Sequence, residues 1–145
     1  MYLSFKIVIG GSFRSGKSSL VERLINNSFK YDHSLTIGLD FDLIKFEKGN
    51  NSIKLEIWDL GGKDRYRFLV PSYVMNASGG LIVFDLTSDN NYQAVINEWT
   101  EIFQNQTDID IPIIFIGNKV DLVDENYNSK QRNKTTQYAS KMGSV

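Results

Sequence analysis

Residues 11–18 read "GSFRSGKS", and their types and spacing are those of a loop that binds phosphate groups. Gly11 and Gly16 allow a tight turn whose backbone N–H groups point inward at phosphate oxygens. Lys17 can neutralise the β- and γ-phosphates of a nucleotide, and the Ser18 hydroxyl can ligate Mg²⁺. The alternative is a glycine turn beside a surface lysine. The candidate phosphate-binding residues are Gly11, Ser12, Phe13, Arg14, Ser15, Gly16, Lys17, Ser18 and Ser19.

Residues 118–121 read "NKVD" and could recognise a guanine base. Asp121 can accept two hydrogen bonds from guanine N1–H and N2–H₂, a pair of donors that adenine does not offer. Asn118 can address the other edge of the base and tie its loop to the phosphate loop, and the Lys119 stem can lie along the purine face. A plain polar turn is the alternative. The phosphate loop about a hundred residues earlier favours the guanine site.

The elements that must position these loops alternate along the chain. Branched apolar runs at 5–11, 80–87 and 111–119 predict buried strands, and alternating apolar and polar residues at 40–47 and 52–59 predict an antiparallel hairpin. Helical spacing predicts helices over 17–29, over 65–77 with a break near Pro71, over 90–106, and over the polar stretch 127–143. The order predicts an α/β fold, a mostly parallel doubly wound sheet with one antiparallel hairpin strand. Ligands of such sheets bind at the carboxyl ends of the strands.

Length and composition narrow the class of protein. A chain of 145 residues predicts one domain, and a net charge of -1 gives no support for a partner among the nucleic acids. The chain has no cysteine, which excludes a disulfide framework and leaves no residue for prenylation or palmitoylation. No run approaches the roughly 20 apolar residues that cross a bilayer.

Three further segments extend the pattern: "SLTIGLDF" at 34–41, "WDLGGKDRYR" at 58–67 and "LIVFDLT" at 81–87. With the two loops, they resemble a Ras-superfamily small GTPase, and most closely the Rab family. The resemblance covers the whole chain and implies a Ras-like G domain of the P-loop NTPase fold over 1–145. It implies GTP or GDP and Mg²⁺ as ligands and a molecular switch in vesicle trafficking. It also implies exchange factors, activating proteins and effectors as partners, in a cytoplasmic protein recruited to membranes through parts absent from these residues.

The resemblance also implies roles for single residues. Thr36 matches the switch threonine whose hydroxyl ligates Mg²⁺, and Asp59 matches the acidic residue that holds Mg²⁺ through water. Gly62 matches the glycine whose N–H contacts the γ-phosphate. Phe29 matches the aromatic that packs on guanine, with a core residue at a helix end as the alternative. Three aromatic residues match the effector surface of Rab proteins, with core aromatics as the alternative: Phe41, Trp58 and Tyr73.

Three residues depart from the family pattern. Lys63 stands where the family has a glutamine that orients the attacking water, and lysine has donors but no acceptor. We therefore expect slow intrinsic GTP hydrolysis, with Lys63, Gly62 and Lys17 as the candidate catalytic residues. Phe13 replaces a small residue and would either crowd the γ-phosphate or turn outward. Arg14 is either a built-in charge stabiliser or a residue that makes a surface ion pair or contacts a partner.

Two other functions remain open at the level of the sequence. The chain could be a non-cycling guanine-nucleotide-binding module that presents an effector surface. It could also be a P-loop kinase or ATPase, against which the "NKVD" segment argues.

The family resemblance also implies a sixth strand, a loop that contacts the guanine oxygen and a last helix, all beyond residue 145. The apolar strand at 111–118 would otherwise present a bare edge. We expect further residues or a partner chain to cover it.

Overall fold

A computed structural model describes residues 1–31, 34–88, 92–123 and 125–142. The strands are β1 (Tyr2–Gly11), β2 (Leu39–Lys48), β3 (Asn51–Leu60), β4 (Gly79–Asp85) and β5 (Ile113–Asn118). The α-helices are α1 (Lys17–Asn26), α2 (Val70–Val74), α3 (Tyr92–Gln106) and α4 (Glu125–Lys141). Two short 3₁₀ segments span Asp64–Leu69 and Val120–Leu122.

The five strands form one sheet in the order β2-β3-β1-β4-β5. Strand β2 is antiparallel to β3, and every other neighbouring pair is parallel. The predicted α/β fold, mostly parallel with one antiparallel hairpin strand, is confirmed. The central strands are apolar on both faces because helices cover both, and Val8, Ile82 and Val83 are fully buried.

Each face of the sheet has its own core. On one face, Val8 and Phe84 pack with residues of α2 and α3, and Trp99 and Phe103 of α3 are fully buried there. On the other face, Val21 of α1 packs in a smaller cluster with strand residues. Five apolar and aromatic side chains share one face of α3, and all of them are buried: Tyr92, Val95, Ile96, Trp99 and Phe103.

The segment predicted as an imperfect helix over 65–77 is two short helices. It begins as the 3₁₀ segment and becomes α-helical at Val70, one residue before Pro71. Proline is tolerated there because N–H groups in the first turn of a helix have no carbonyl partner within the helix, so no hydrogen bond is lost. Residues 90–91 and 143 of the other predicted helices lie outside the described residues. Among the described helices, none has the length and apolar character to cross a membrane.

Strand β5 lies at the edge of the sheet and pairs with β4. Its Ile114 side chain is 48% exposed, which is unusual for an isoleucine in a strand of this apolar character. That further residues or a partner cover this edge stays a prediction.

Gly10 is required by the close approach of the Trp99 ring. A Cβ at Gly10 would lie 2.2 Å from Trp99, whereas one at Gly79 on the neighbouring strand would meet nothing closer than 3.4 Å. We expect Gly10→Ala to lower the free energy of unfolding by about 1–3 kcal/mol through overpacking. Gly79→Ala, the matched control, should change it by less than about 1 kcal/mol. Denaturant unfolding of both variants tests this, and equal losses would contradict the packing described.

Candidate functional site

The carboxyl ends of β1, β3, β4 and β5 meet at one edge of the sheet. In the strand register Ile9 lies opposite Asp59, and Asp85 lies opposite Asn118. The phosphate loop, the segment after β3 and the "NKVD" segment are therefore neighbours. A cavity of about 360 Å³ opens among them. Its described lining residues are Phe13, Arg14, Ser15, Gly16, Lys17, Ser18, Ser19, Phe29, Lys30, Tyr31, Ser34, Leu35, Thr36, Gly61, Gly62 and Lys119.

The phosphate loop turns from β1 directly into α1. The Ser12 N–H donates to the Val83 carbonyl at 3.1 Å, which fixes the start of the loop on β4. Lys17 is buried, and its Nζ donates to the Ser12 carbonyl at 2.8 Å. Burial lowers the pKa of Lys17 to about 8, and the charge of Asp59 opposes that effect. The loop therefore holds a buried, desolvated ammonium at the cavity, a group suited to pairing with an anion such as phosphate.

Ser18, Thr36 and Asp59 bring their oxygen atoms together. Ser18 Oγ lies 2.8 Å from Thr36 Oγ1 and donates to Asp59 Oδ2. Asp59 is only 1% exposed, and its Oδ1 has no hydrogen-bond partner among the described residues. Burial raises the pKa of this carboxyl to about 6. Hard oxygen donors around an unpartnered buried carboxylate oxygen fit the ligand chemistry of Mg²⁺.

Gly62 lies against the phosphate loop. A Cβ at Gly62 would be 2.7 Å from Phe13 Cα and 3.0 Å from Lys17 Nζ, so no larger residue fits there. The neighbouring Gly61 N–H donates to the Gly38 carbonyl at 2.9 Å. This bond joins the segment after β3 to the segment that carries Thr36, and the two segments are in direct backbone contact.

The "NKVD" segment is tied to the phosphate loop. Asn118 Nδ2 donates to the Ser15 carbonyl at 2.8 Å, and Lys119 Nζ lies 2.5 Å from Asp85 Oδ2. Asp121 is exposed at the start of the 3₁₀ segment that follows β5. Phe29 is 57% exposed and lines the cavity, so it is not a core residue at the helix end.

The three departing residues lie near one another: Arg14 lines the first cavity, Lys63 lines a second one, and both lie near the Phe13 ring. Phe13 is 44% exposed and also lines a second cavity of about 550 Å³ towards α3. Lys63 lines that second cavity, and its Nζ lies 5.9 Å from the Phe13 ring centroid. Arg14 lines the first cavity, with its Cζ 5.3 Å from the same centroid.

Two carboxylates near the site were missed by sequence reasoning. Asp85 pairs with Lys119, and Glu98 of α3 pairs with Arg67, which also lies 3.3 Å from Asp64 Oδ1. Asp85 could have been found because it ends a parallel strand, where such sheets bind ligands. Glu98 lies in a helix, and nothing in the sequence indicates its partner.

The three predicted effector aromatics form one continuous surface. Phe41 and Trp58 are opposite residues on β2 and β3, with ring centroids 5.5 Å apart, and Tyr73 lies 6.1 Å from Trp58. Lys6 Nζ lies 4.1 Å from the Trp58 ring centroid. Phe41 is half-exposed, whereas Trp58 and Tyr73 are partly buried and pack against the core on that face of the sheet.

The topology and the loops at the strand ends define a Ras-like P-loop domain. The chain belongs to the Ras family, whose family model matches residues 6–144. It is a Ras-superfamily small GTPase that resembles Rab proteins.

Curated relatives share the family over part of their length. The chain is 41% identical over 118 residues to the Ras and EF-hand domain-containing protein of Danio rerio, covering 81% of this chain and 18% of that protein. It is 37% identical over 118 residues to the Ras-related protein Rab-25 of Canis lupus familiaris, and 36% identical to that of Homo sapiens. These matches cover 81% of this chain and 55% of each Rab-25. The chain therefore spans about half the length of Rab-25, and less than a fifth of the length of the Ras and EF-hand domain-containing protein.

The buried charges of Lys17 and Asp59 predict a pH dependence for the ligand-free protein. Folding raises the pKa of Asp59 from 3.8 to about 6, so the folded state binds this proton more tightly and loses stability as pH rises through that window. Folding lowers the pKa of Lys17 from 10.5 to about 8, so stability returns as pH rises from 8 towards 10.5. The pair should contribute a stability minimum between about pH 6 and 8.

Denaturant unfolding of nucleotide-free protein from acidic to alkaline pH measures this profile. Asp59→Asn should remove the fall in the free energy of unfolding between about pH 4 and 6. Lys17→Met should remove the rise in the free energy of unfolding above about pH 8. Lys30→Met is the control, because Lys30 lines the same cavity but is exposed. Profiles of the Asp59 and Lys17 variants that follow the wild-type shape would contradict the assignment.

Proposed function

We propose that this chain binds GTP and GDP with Mg²⁺ and acts as a Rab-like molecular switch with slow intrinsic GTP hydrolysis. The observation that carries the proposal is a pair of buried charges: Lys17 lines the cavity, and Asp59 accepts a hydrogen bond from Ser18 on the cavity wall. A phosphate chain would supply the anion that Lys17 lacks, and Mg²⁺ would supply the cation that Asp59 lacks. Each buried charge then acquires the partner that burial requires.

In this proposal, described residues would contact the phosphates, the Mg²⁺ ion and part of the guanine base. Backbone N–H groups of the phosphate loop and Lys17 would hold the phosphates. Ser18, Thr36 and Asp59 would hold Mg²⁺, which neutralises charge on phosphate oxygens when it is bound. The guanine base would lie between Phe29 and the Lys119 stem, with Asp121 accepting from its N1–H and N2–H₂ and Asn118 addressing its other edge.

The switch would depend on two segments that meet at the γ-phosphate. Thr36 and the Gly62 N–H would both contact it, and the bond from Gly61 to the Gly38 carbonyl joins their segments. Loss of the γ-phosphate removes a contact from each segment and releases them together. Phe41 and Trp58 lie on the strands that follow and precede these segments, and Tyr73 lies in α2. We propose these three aromatic residues as the effector surface. Residues 1–145 would act as a Ras-like G domain in a trafficking protein recruited from the cytoplasm to membranes.

Slow hydrolysis follows from the residues at the cavity wall. Lys63 has no acceptor for a proton of the attacking water, so the water loses its positioning group. Lys17 and the Gly62 N–H would still stabilise negative charge on the γ-phosphate in the transition state. The result is a site that binds well and turns over slowly.

Single-turnover GTP hydrolysis tests the proposal. We expect Lys63→Gln to raise the rate by on the order of 10- to 100-fold, because glutamine can accept from the water. Adding Phe13→Gly should raise it further by relieving crowding at the γ-phosphate. Arg65→Gln is the control, an exposed cation on the same segment. A wild-type rate equal to that of Lys63→Gln would contradict the role of Lys63.

A second candidate is a guanine-nucleotide-binding module that never cycles. It is favoured by the position of Phe13, whose ring occupies the wall between the two cavities where an activating protein would have to reach. The GTP:GDP ratio of protein extracted from its own cells distinguishes the two functions. A module would carry GTP alone, and a switch would carry both nucleotides.

A further inference from the structure

We propose that Arg14 is a phosphate ligand of the bound nucleotide and that Phe13 is the residue that positions it. The proposal rests on the guanine-nucleotide binding proposed above and adds a cation that a small residue in this loop could not supply. Three features of the molecule support it: the positive charge of the cavity, the lack of an ion-pair partner for Arg14 among the described residues, and the left-handed backbone at Arg14.

The cavity beside the phosphate loop is cationic. Four basic side chains line it: Arg14, Lys17, Lys30 and Lys119. None of its described lining residues carries a carboxylate. Walls of one charge sign attract a ligand of the opposite sign and raise its local concentration. A polyphosphate chain is the ligand that fits a cavity with this excess of positive charge.

Three of these cations already have an oxygen partner. Lys17 donates to the Ser12 carbonyl, Lys30 lies 3.5 Å from Glu22, and Lys119 lies 2.5 Å from Asp85. Arg14 instead lies over the Phe13 ring, and within the described part of the chain it makes no ion pair. A surface ion pair is one of the roles considered for Arg14 from the sequence. No such pair is found among the described residues.

The Phe13 ring holds the guanidinium without neutralising it. A ring face attracts a cation through its quadrupole and leaves the N–H donors of the fork available. A carboxylate partner would occupy those donors. Because Lys63, the other cation near the ring, lines the second cavity, Arg14 is the one that Phe13 holds at the nucleotide side. A guanidinium fork suits phosphate because two parallel N–H donors can meet two oxygens.

The backbone at Arg14 supports a functional reason for the side chain. Arg14 has φ of 56°, in the left-handed region where glycine is favoured. A long side chain at such a position is strained, and residues held in this way concentrate at ligand sites. A glycine would relieve this strain, and the Arg14 side chain starts from the wall of the cavity.

Release of fluorescent GDP and of a fluorescent non-hydrolysable GTP analogue, each with Mg²⁺, tests the proposal on the full chain. We expect Arg14→Gln to speed release of both nucleotides by on the order of tenfold, since a charge-assisted hydrogen bond is lost while the left-handed residue stays non-glycine. Arg14→Lys should give an intermediate rate, because it keeps the charge and loses the fork. Arg65→Gln is the matched control: Arg65 Cζ also lies over a ring, 4.9 Å from the Tyr66 centroid, but outside the cavity.

Phe13→Leu separates positioning from a purely structural role. It should speed release in the wild-type background and have no further effect in the Arg14→Gln background, because its effect acts through Arg14. Release from Arg14→Gln at the rate of Arg65→Gln would overturn the proposal for Arg14. Equal effects of Phe13→Leu in both backgrounds would overturn its positioning role. Wild-type protein that retains neither nucleotide would overturn the proposed function itself, a result distinct from both.

Discussion

Two opposite charges, Lys17 and Asp59, are buried at the carboxyl edge of a parallel sheet, and the candidate site is arranged around them. Neither is solvated, and the directions of their pKa shifts show that burial opposes the charged form of each. The cores on the two faces of the sheet hold β1 and β3 in register, which fixes the positions of these charges. Desolvation of these two charges lowers the free energy of unfolding, and bound phosphate and Mg²⁺ would offset that loss. A ligand that binds the folded protein and not the unfolded chain raises the free energy of unfolding.

The fold could be predicted from the sequence because its signals are local. Apolar runs that end in glycine or in polar loops mark the parallel strands, and the alternation on either side of "KGNN" marks the hairpin. The loops after β1 and β5 were also predictable, since residue type and spacing determine their chemistry. The switch from 3₁₀ to α-helix near Pro71 is a small difference that depends on how the segment packs against α3.

Contacts between distant segments could not be predicted. The pairs Arg67–Glu98 and Lys119–Asp85 join residues whose rotamers depend on the finished packing. The position of Phe13 is of the same kind, because the sequence allowed its ring to crowd the γ-phosphate or to turn outward. In the structure the ring forms a wall between two cavities and lies near two cations. A replacement that looked unfavourable in the loop pattern thus has a defined place in the site.

In the proposed function, the replaced residues separate binding from turnover. Lys17, Ser18 and Asp59 would hold phosphate and metal, whereas Lys63 would leave the attacking water without a positioning group. The most direct measurement of this account is calorimetric titration of nucleotide-free protein with GTP and with ATP, each with and without Mg²⁺. We expect GTP binding that weakens when Mg²⁺ is removed, and ATP binding at least about 100-fold weaker because adenine leaves the Asp121 carboxylate unsatisfied. Equal affinity for ATP and GTP, or GTP binding that is indifferent to Mg²⁺, would contradict it.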